Sequence, residues 1–355
     1  MSIEMSKFGN LKDGREVTLY TITNKKGSIL KLSNLGACMI SLMVPDRNGK
    51  LDDVILGYDD VALYEKGNSD SQGATIGRYA NRLTHHRFVL NGKEYVVPNN
   101  DGEFSLHSGP DFYFERLWDA ELVDDEEGQG VIFSLESPDM DQGYPGNLSV
   151  SVTMLLTEDD SVVLEYDAVC DQDTIFNMTN HTYFNLNGHD SGSILDHKLW
   201  IDAEGFTFKE GDQVTTGEIR SVEGTPMDFR QLKTIGEEID SDYEPLRYVG
   251  GYDHNFALKT NGEDVDLVAK LVSEKSGRVM DVFTDLPGMQ IYTGNFLRED
   301  RPGKGGVWYK HFDGVAMETH FFPDAINHPN FVQPILRAGV PFNSCTVYHF
   351  SVLDV

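Results

Sequence analysis

The chain holds three cysteines in 355 residues, and Cys38, Cys170 and Cys345 lie far apart, with no Cys-x-x-Cys and no Cys/His cluster among them. That excludes a disulfide framework and offers no zinc pattern, so reduced thiols in a cytoplasmic protein are expected. Long hydrophobic runs are missing too. No stretch reaches the ~18 apolar residues of a membrane span. The N-terminal Met1-Ser2-Ile3-Glu4-Met5-Ser6-Lys7 lacks the apolar segment of a secretory signal. Positive charge is scarce: 29 Lys and Arg stand against 58 Asp and Glu, a net charge of −29 at pH 7. A field of that sign repels phosphate backbones and anionic lipid, which argues against nucleic acid and membrane surfaces as partners.

Cofactor signatures are absent as well. No GxGxxG leads from a strand into a helix, and GxxxxGK[ST], HExxH and GxSxG do not occur. Gly303-Lys-Gly-Gly306 reads as a flexible loop. The chemistry is therefore expected to rest on side chains alone, with no metal and no cofactor.

Strands dominate what is there. Leu148, Val150, Val152 and Met154 alternate with Ser149, Ser151 and Thr153, and Val162, Leu164, Tyr166 and Ala168 line one face of the next run after an acidic turn. Period-two alternation marks half-buried strands, and the two runs form a hairpin. Asn91-Gly92 between Arg87–Leu90 and Lys93–Val97 is a strong hairpin signal, because a type I′ turn needs positive φ at both central residues. Asp266–Ser273 and Arg278–Thr284 form another pair, and Thr346–Leu353 reads as a terminal strand. Short helices are expected only at Asp59–Lys66 and Phe229–Ile239, and Asp124–Glu127 reads as a solvated loop. Without a linker or a fixed repeat, the pattern predicts an all-β protein, a large antiparallel β-sandwich forming a single domain over residues 1–355, with two fused sandwiches as the alternative.

Some polar residues sit where a sandwich is normally apolar. In Phe176–Asn187, one parity carries Asn177, Thr179, His181, Tyr183, Asn185 and Asn187, a neutral stripe whose paired donors and acceptors suit a sugar. Val315-Ala-Met-Glu318-Thr-His320 sets a carboxylate inside an apolar strand, with His320 on the same face. A buried glutamate must be paired, protonated or functional, and desolvation raises its pKa toward general-base values. Gln290 shares a face with Tyr292, Asp253 follows a glycine turn, Arg78 and Arg82 flank Asn81, and His107 stands at a turn.

Together these segments resemble the aldose 1-epimerase (galactose mutarotase) family. The matching blocks run in order: Gly77-Arg-Tyr-Ala-Asn-Arg82, Leu106-His107, Asn180-His-Thr-Tyr-Phe-Asn-Leu186, Asp253-His-Asn-Phe256, Pro287-Gly-Met-Gln-Ile-Tyr-Thr-Gly-Asn295, then Glu318-Thr319 with Pro323-Asp-Ala325. The resemblance implies a large antiparallel sandwich with an open sugar cleft. It implies His181 as general acid and Glu318 as general base. Asn81, Arg82, His107, Tyr183, Asp253 and Gln290 become sugar ligands, with Arg78 and His320 as further candidates. The chain departs from the family pattern twice, with Ser108 in place of Gly and His320 in place of Gln. The second departure bears on how Glu318 is held.

The implied reaction interconverts the α and β anomers of a free aldohexose such as galactose or glucose. An imidazolium and a carboxylate are expected to face each other across a pyranose-sized space, with His181 holding its proton near neutral pH because ordinary imidazole titrates near ~6.5. Three alternatives stand beside this reading: a retaining glycosidase using Glu318 and Asp253, a non-catalytic sugar-binding sandwich, and a hexose-phosphate epimerase relative. The last needs a basic phosphate pocket, and the sequence shows no local Arg/Lys cluster beyond Arg78 and Arg82. The partner is a monosaccharide, and the sequence leaves monomer or homodimer open.

Overall fold

The alternating run at residues 148–156 pairs antiparallel with Ser161–Cys170, from Leu148↔Cys170 to Leu156↔Val162, and the even-numbered residues of both strands enter the core. The computed structural model describes residues 1–65, 68, 70–124, 126–211 and 214–353. Two expected elements, the helix ending at Lys66 and the loop containing Asp125, lie partly outside that range.

The hairpin belongs to a nine-stranded sheet that also takes in Phe342–Val352, Arg278–Thr284 and Asp266–Val272. A five-stranded sheet holds residues 2–53. A six-stranded sheet carries, in order, Tyr183–Phe184, Val315–His320, Gly288–Tyr292, Asp253–Leu258, Ala203–Glu210 and Val214–Ser221. One apolar core draws residues from all three sheets, among them Leu42, Val152, Phe256, Met289, Met317 and Tyr348. Tyr348 also donates its hydroxyl to the Met317 carbonyl at 3.0 Å, and Thr346 and Thr319 share a hydrogen bond of 2.6 Å. These bonds tie the nine-stranded sheet to the core face of the strand that bears Glu318.

The other hairpins form as expected. Asn91 and Gly92 have φ of 51° and 77°, the left-handed pair that a type I′ turn demands. Asp266–Val272 pairs with Arg278–Thr284. The three cysteines are free, Cys38 and Cys170 buried. Among the described residues, no helix is long and apolar enough to cross a membrane.

Helix expectations fare less well. The first helix is one turn, Ala62–Glu65. Phe229–Ile239 is not a helix. Lys233–Thr234 instead adds a short strand beside Lys198–Ile201, and Ile235–Glu237 makes a single 3₁₀ turn. Sheet pairing takes the backbone hydrogen bonds there, while Phe229, Ile235 and Ile239 reach the core without helical spacing. A six-residue helix forms instead at Glu244–Val249, opened by Pro245 and closed by Gly250 at φ 64°. Proline inside the start and left-handed glycine past the end is the signature that a helix leaves in sequence.

Candidate active site

Strand register builds one wall of the site. Glu318 lies directly across from Gln290, Gln290 from Asn255, and Tyr292 from Asp253. Their chain neighbours Met317, Met289, Ile291 and Phe256 point into the core, so the pleat sends the polar set to the opposite face. The strand carrying Glu318 runs between two others, and all six of its residues are buried. It is therefore not an edge strand with a wet face.

Loops close the other wall. Thr179–His181 pairs with Ala74–Ile76, which aims His181 at Glu318. Arg82–Leu83 pairs with Ser105–Leu106, and the Asn81 backbone N–H donates to His107 Nδ1 at 3.2 Å. Asn81 and His107 both take left-handed φ, 62° and 55°. Buried Asp324 accepts the Thr84 N–H at 3.1 Å and so ties the Pro323-Asp-Ala325 block to this segment.

The resulting cleft holds about 290 Å³ and is lined by Asn81, Arg82, His107, His181, Tyr183, Asp253, Gln290 and Glu318. That sits near the lower end of small-molecule sites, ~300–1,000 Å³. All eight residues expected as acid, base or sugar ligands thus converge on it. Asp70, Leu106, Tyr292, Phe296 and Arg298 complete the lining. Of these, Tyr292 was accessible to sequence reasoning, since it shares a strand face with Gln290. The loop residues Asp70, Phe296 and Arg298 left no periodic signal.

At the floor, His181 Nε2 lies 3.5 Å from Glu318 Oε1, with side chains 8% and 2% exposed. The pair stands side by side instead of facing across a pyranose-sized gap. Burial dominates their titration. It pushes Glu318 well above the ordinary carboxylate range, helped by the charge of Asp253 and opposed by Arg82. It pulls His181 down to about 4. The expectation of an imidazole protonated near neutral pH is thus not met at this floor, because no solvent shell supports its charge. Glu318 Oε2 and His181 Nδ1 are both buried without a hydrogen-bond partner.

The neighbouring groups are fixed. Asp253 Oδ1 accepts from Gln290 Nε2 at 2.5 Å, and its Oδ2 lies 3.2 Å from Lys209 Nζ. Burial raises the Asp253 pKa, but Lys209, Arg82, His254 and the Gln290 bond outweigh it and hold the group at about 2. Arg82 Nε donates to Asp101 Oδ2 at 2.7 Å. The Tyr183 hydroxyl donates to the Asp70 carbonyl at 2.9 Å. Burial above all keeps His107 neutral, and the Arg82 charge works in the same direction. Its Nδ1 accepts the Asn81 N–H, so its proton sits on Nε2. Ligand atoms of His107, His181 and Glu318 lie within 4.8 Å of one another, a donor set that a metal ion would accept.

Three sequence expectations move. Arg78 is buried away from the cleft, where its guanidinium donates to the Ser137, Pro145 and Gly146 carbonyls. It cannot pair with Arg82 around a phosphate. His320 is buried beside the site without lining it. It donates Nδ1–H to the Phe321 carbonyl at 2.5 Å, and its Nε2 has no partner. The polar stripe of residues 177–187 is not one strand. It breaks into Thr179–His181 and Tyr183–Phe184, and only His181 and Tyr183 reach the cleft. Asn177 bonds to Phe321, Asn185 to Gly192 and Asp313, and Asn187 to Ser273. These amides satisfy buried loop backbone and hydroxyl groups that the fold would otherwise strand.

The profile of the aldose 1-epimerase family matches residues 18–349. Galactose mutarotase of Bos taurus is 39% identical over 317 residues, 89% of each chain, and aldose 1-epimerase of Escherichia coli is 36% identical over 340 residues, 95% of this chain and 96% of that one. Among solved structures, an aldose epimerase homologue from C. elegans superposes with a TM-score of 0.85 at 31% identity, covering 95% of this chain and 99% of that one. Galactose 1-epimerase from Lactobacillus acidophilus gives 0.87 at 26% identity, covering 99% of both. The sandwich, its polar cleft and these full-length likenesses agree: the chain belongs to the aldose 1-epimerase family and is an isomerase acting on carbohydrates.

Proposed function

We propose that the cleft binds a free aldohexose, galactose or glucose, over Glu318 and His181, and that this pair opens and recloses the hemiacetal ring. The observation that carries the reading is the 3.5 Å contact between an imidazole and a carboxyl group at the floor of a monosaccharide-sized polar cleft. Mutarotation breaks the C1–O5 bond. The C1 hydroxyl loses a proton as the carbonyl forms, and the ring oxygen gains one as it leaves. Both oxygens are bonded to C1, so one acid and one base standing side by side reach both. Rotation about C1–C2 presents the other carbonyl face, and reclosure reverses the two transfers.

The proton count fits. Burial at the cleft floor favours a protonated Glu318 and a neutral His181. That state holds one proton, the same number as a Glu318 carboxylate with a His181 imidazolium, so the two differ by a proton shift within the pair. Sugar hydroxyls that donate to the Glu318 carboxyl, which lines the cleft, favour its carboxylate. His181 then carries the proton as the acid and Glu318 acts as the base, each supplying ~10²–10⁴-fold. Neutral His107 offers Nε2–H, and Arg82 a fixed charge, to the developing ring alkoxide. Asp253, Gln290, Asn81 and Tyr183 hold the remaining hydroxyls, which keeps the chain oriented while the ring is open.

Polarimetry tests this. Freshly dissolved α-galactose and α-glucose should relax to the anomeric equilibrium far faster with the protein than without it. Methyl α-galactoside has no free C1 hydroxyl and should be left unchanged. Its hydrolysis would replace the proposed reaction with glycoside cleavage. The protein would act as one catalytic unit in the cytoplasm, a compartment that three free thiols support.

A further inference from the structure

Lys209 lies outside the cleft lining yet touches one of its walls. It sits on Ala203–Glu210, the strand next to the one that starts at Asp253, and is 8% exposed. The strand buries Phe206 and Phe208 in the core, which leaves Thr207 and Lys209 on the opposite side. There they border a small polar chamber shared with Arg82, Asn255 and Gln290, directly behind the cleft. Lys209 Nζ stands 3.2 Å from Asp253 Oδ2, and Gln290 Nε2 stands 2.5 Å from Oδ1. The Asp253 carboxylate is therefore gripped at both oxygens from behind, by a cation on one side and an amide on the other.

That grip answers a physical problem. Asp253 is a largely enclosed carboxylate, its side chain 13% exposed, in the same cleft as Glu318, and a charge so placed is costly unless it is compensated. Gln290 supplies a hydrogen bond but no charge. Arg82 is engaged by Asp101. Lys209 is the cation in direct contact with Asp253.

We propose that Lys209 is a positioning residue of the sugar site, holding Asp253 ionised and fixed in direction so that its carboxylate meets sugar hydroxyls. The inference rests on the reading of Asp253 as a sugar ligand. Lys209 acts through Asp253 and not on the reacting atoms. Its loss is expected to weaken binding in ground state and transition state alike, raising KM while kcat changes little.

The test is a double-mutant cycle read by polarimetry. Lys209→Met should raise KM for galactose by about 10- to 100-fold, the scale of a ligand group displaced by about an ångström, with kcat within about threefold. Lys209→Arg, which keeps the charge, should recover most of the loss. In an Asp253→Asn background, Lys209→Met should add less than about twofold, because the group it acts on is gone. An unchanged KM in Lys209→Met, or a full and additive loss in the Asp253→Asn background, overturns the proposal. If Lys209→Met fails to fold by circular dichroism, Lys209→Gln serves in its place with the same expected direction and the same overturning outcomes. Should Asp253→Asn itself leave KM untouched, the reading of Asp253 fails first, and the cycle tells the two failures apart.

Discussion

Two buried polar clusters in this molecule come from one short motif, yet they are built in opposite ways. Around Arg78 every contact is closed. Its guanidinium reaches Ser137 Oγ at 2.6 Å and the Pro145 carbonyl at 2.9 Å, with Thr174, Gly146 and Tyr113 completing the set. Four residues on, Arg82 opens onto a floor where Glu318 Oε2, His181 Nδ1 and, close by, His320 Nε2 are buried without partners. Burial alone does not separate the clusters, because Arg78 and Glu318 are equally hidden. Satisfaction does. A fold seldom leaves several buried polar atoms unpaired, and here three of them gather at and beside the cleft floor, where the proposed sugar would sit against Glu318 and His181.

The sharpest way to break this contrast is to remove each open group. Glu318→Gln and His181→Asn should each slow mutarotation of α-galactose by about 10³-fold or more, while circular dichroism and thermal unfolding show an intact fold. Glu318→Gln should unfold no earlier than the parent, since it replaces a buried, half-paired carboxyl with a neutral amide of the same shape. A wild-type rate in either variant would remove that residue from the chemistry.

The closed cluster should respond in the opposite sense. Arg78→Met leaves the Ser137, Pro145 and Gly146 carbonyls without their donor. Buried acceptors cost ~1–3 kcal/mol each, so a loss of about 3 kcal/mol or more in unfolding free energy is expected, with KM unchanged in the protein that stays folded. Arg82→Met should reverse the pattern, costing about 10²-fold in rate and little in stability. If denaturant melts show Arg78→Met as stable as the parent, the distinction between the two arginines collapses.

Sequence alone made much of this legible, and the reason is local. Alternation over 148–168 and the Asn91-Gly92 turn each carry their own geometry, so the strands could be read in place. Glu318 was visible because a carboxylate in an apolar run violates the pleat. The stripe of residues 177–187 misled for the same reason. Parity groups Asn177, Asn185 and Asn187 with His181, but the chain breaks between short strands, and those amides turn to neighbouring loops. Arg78 and Arg82 look alike because a motif states identity and spacing, not which side of a loop faces the cleft. Lys209 was silent, since the role proposed for it rests on a contact with a residue 44 positions away.

Titration sharpens the contrast further. On the proposed mechanism the pair is active while it holds one proton. As pH falls through the depressed His181 value of about 4, a second proton is added and kcat/KM should drop. As pH rises through the elevated Glu318 value, the shared proton is lost and kcat/KM should drop again, above the ordinary carboxylate range of ~4.3. Activity should therefore hold down to about pH 5. An acid limb near ~6.5 would mean that His181 titrates as a solvated imidazole, against the dry floor that sets this cluster apart.

The smallest expected effect probes the boundary between the clusters. Ser108 follows His107 in the chain but faces the closed side. Its hydroxyl accepts the Tyr79 N–H at 2.8 Å and lies 2.9 Å from the Tyr144 hydroxyl. Its φ of 56° falls where glycine is favoured. Ser108→Gly, which restores the residue common in the family, should relieve that backbone strain and lose those bonds, two terms of about 1 kcal/mol that oppose each other. Thermal unfolding should barely move, and kcat and KM should stay within about twofold, because Ser108 does not line the cleft. A KM shift of about tenfold would show that the closed side sets the aim of His107. The two clusters would then act as one unit, with Ser108 as the hinge through which packing reaches the sugar.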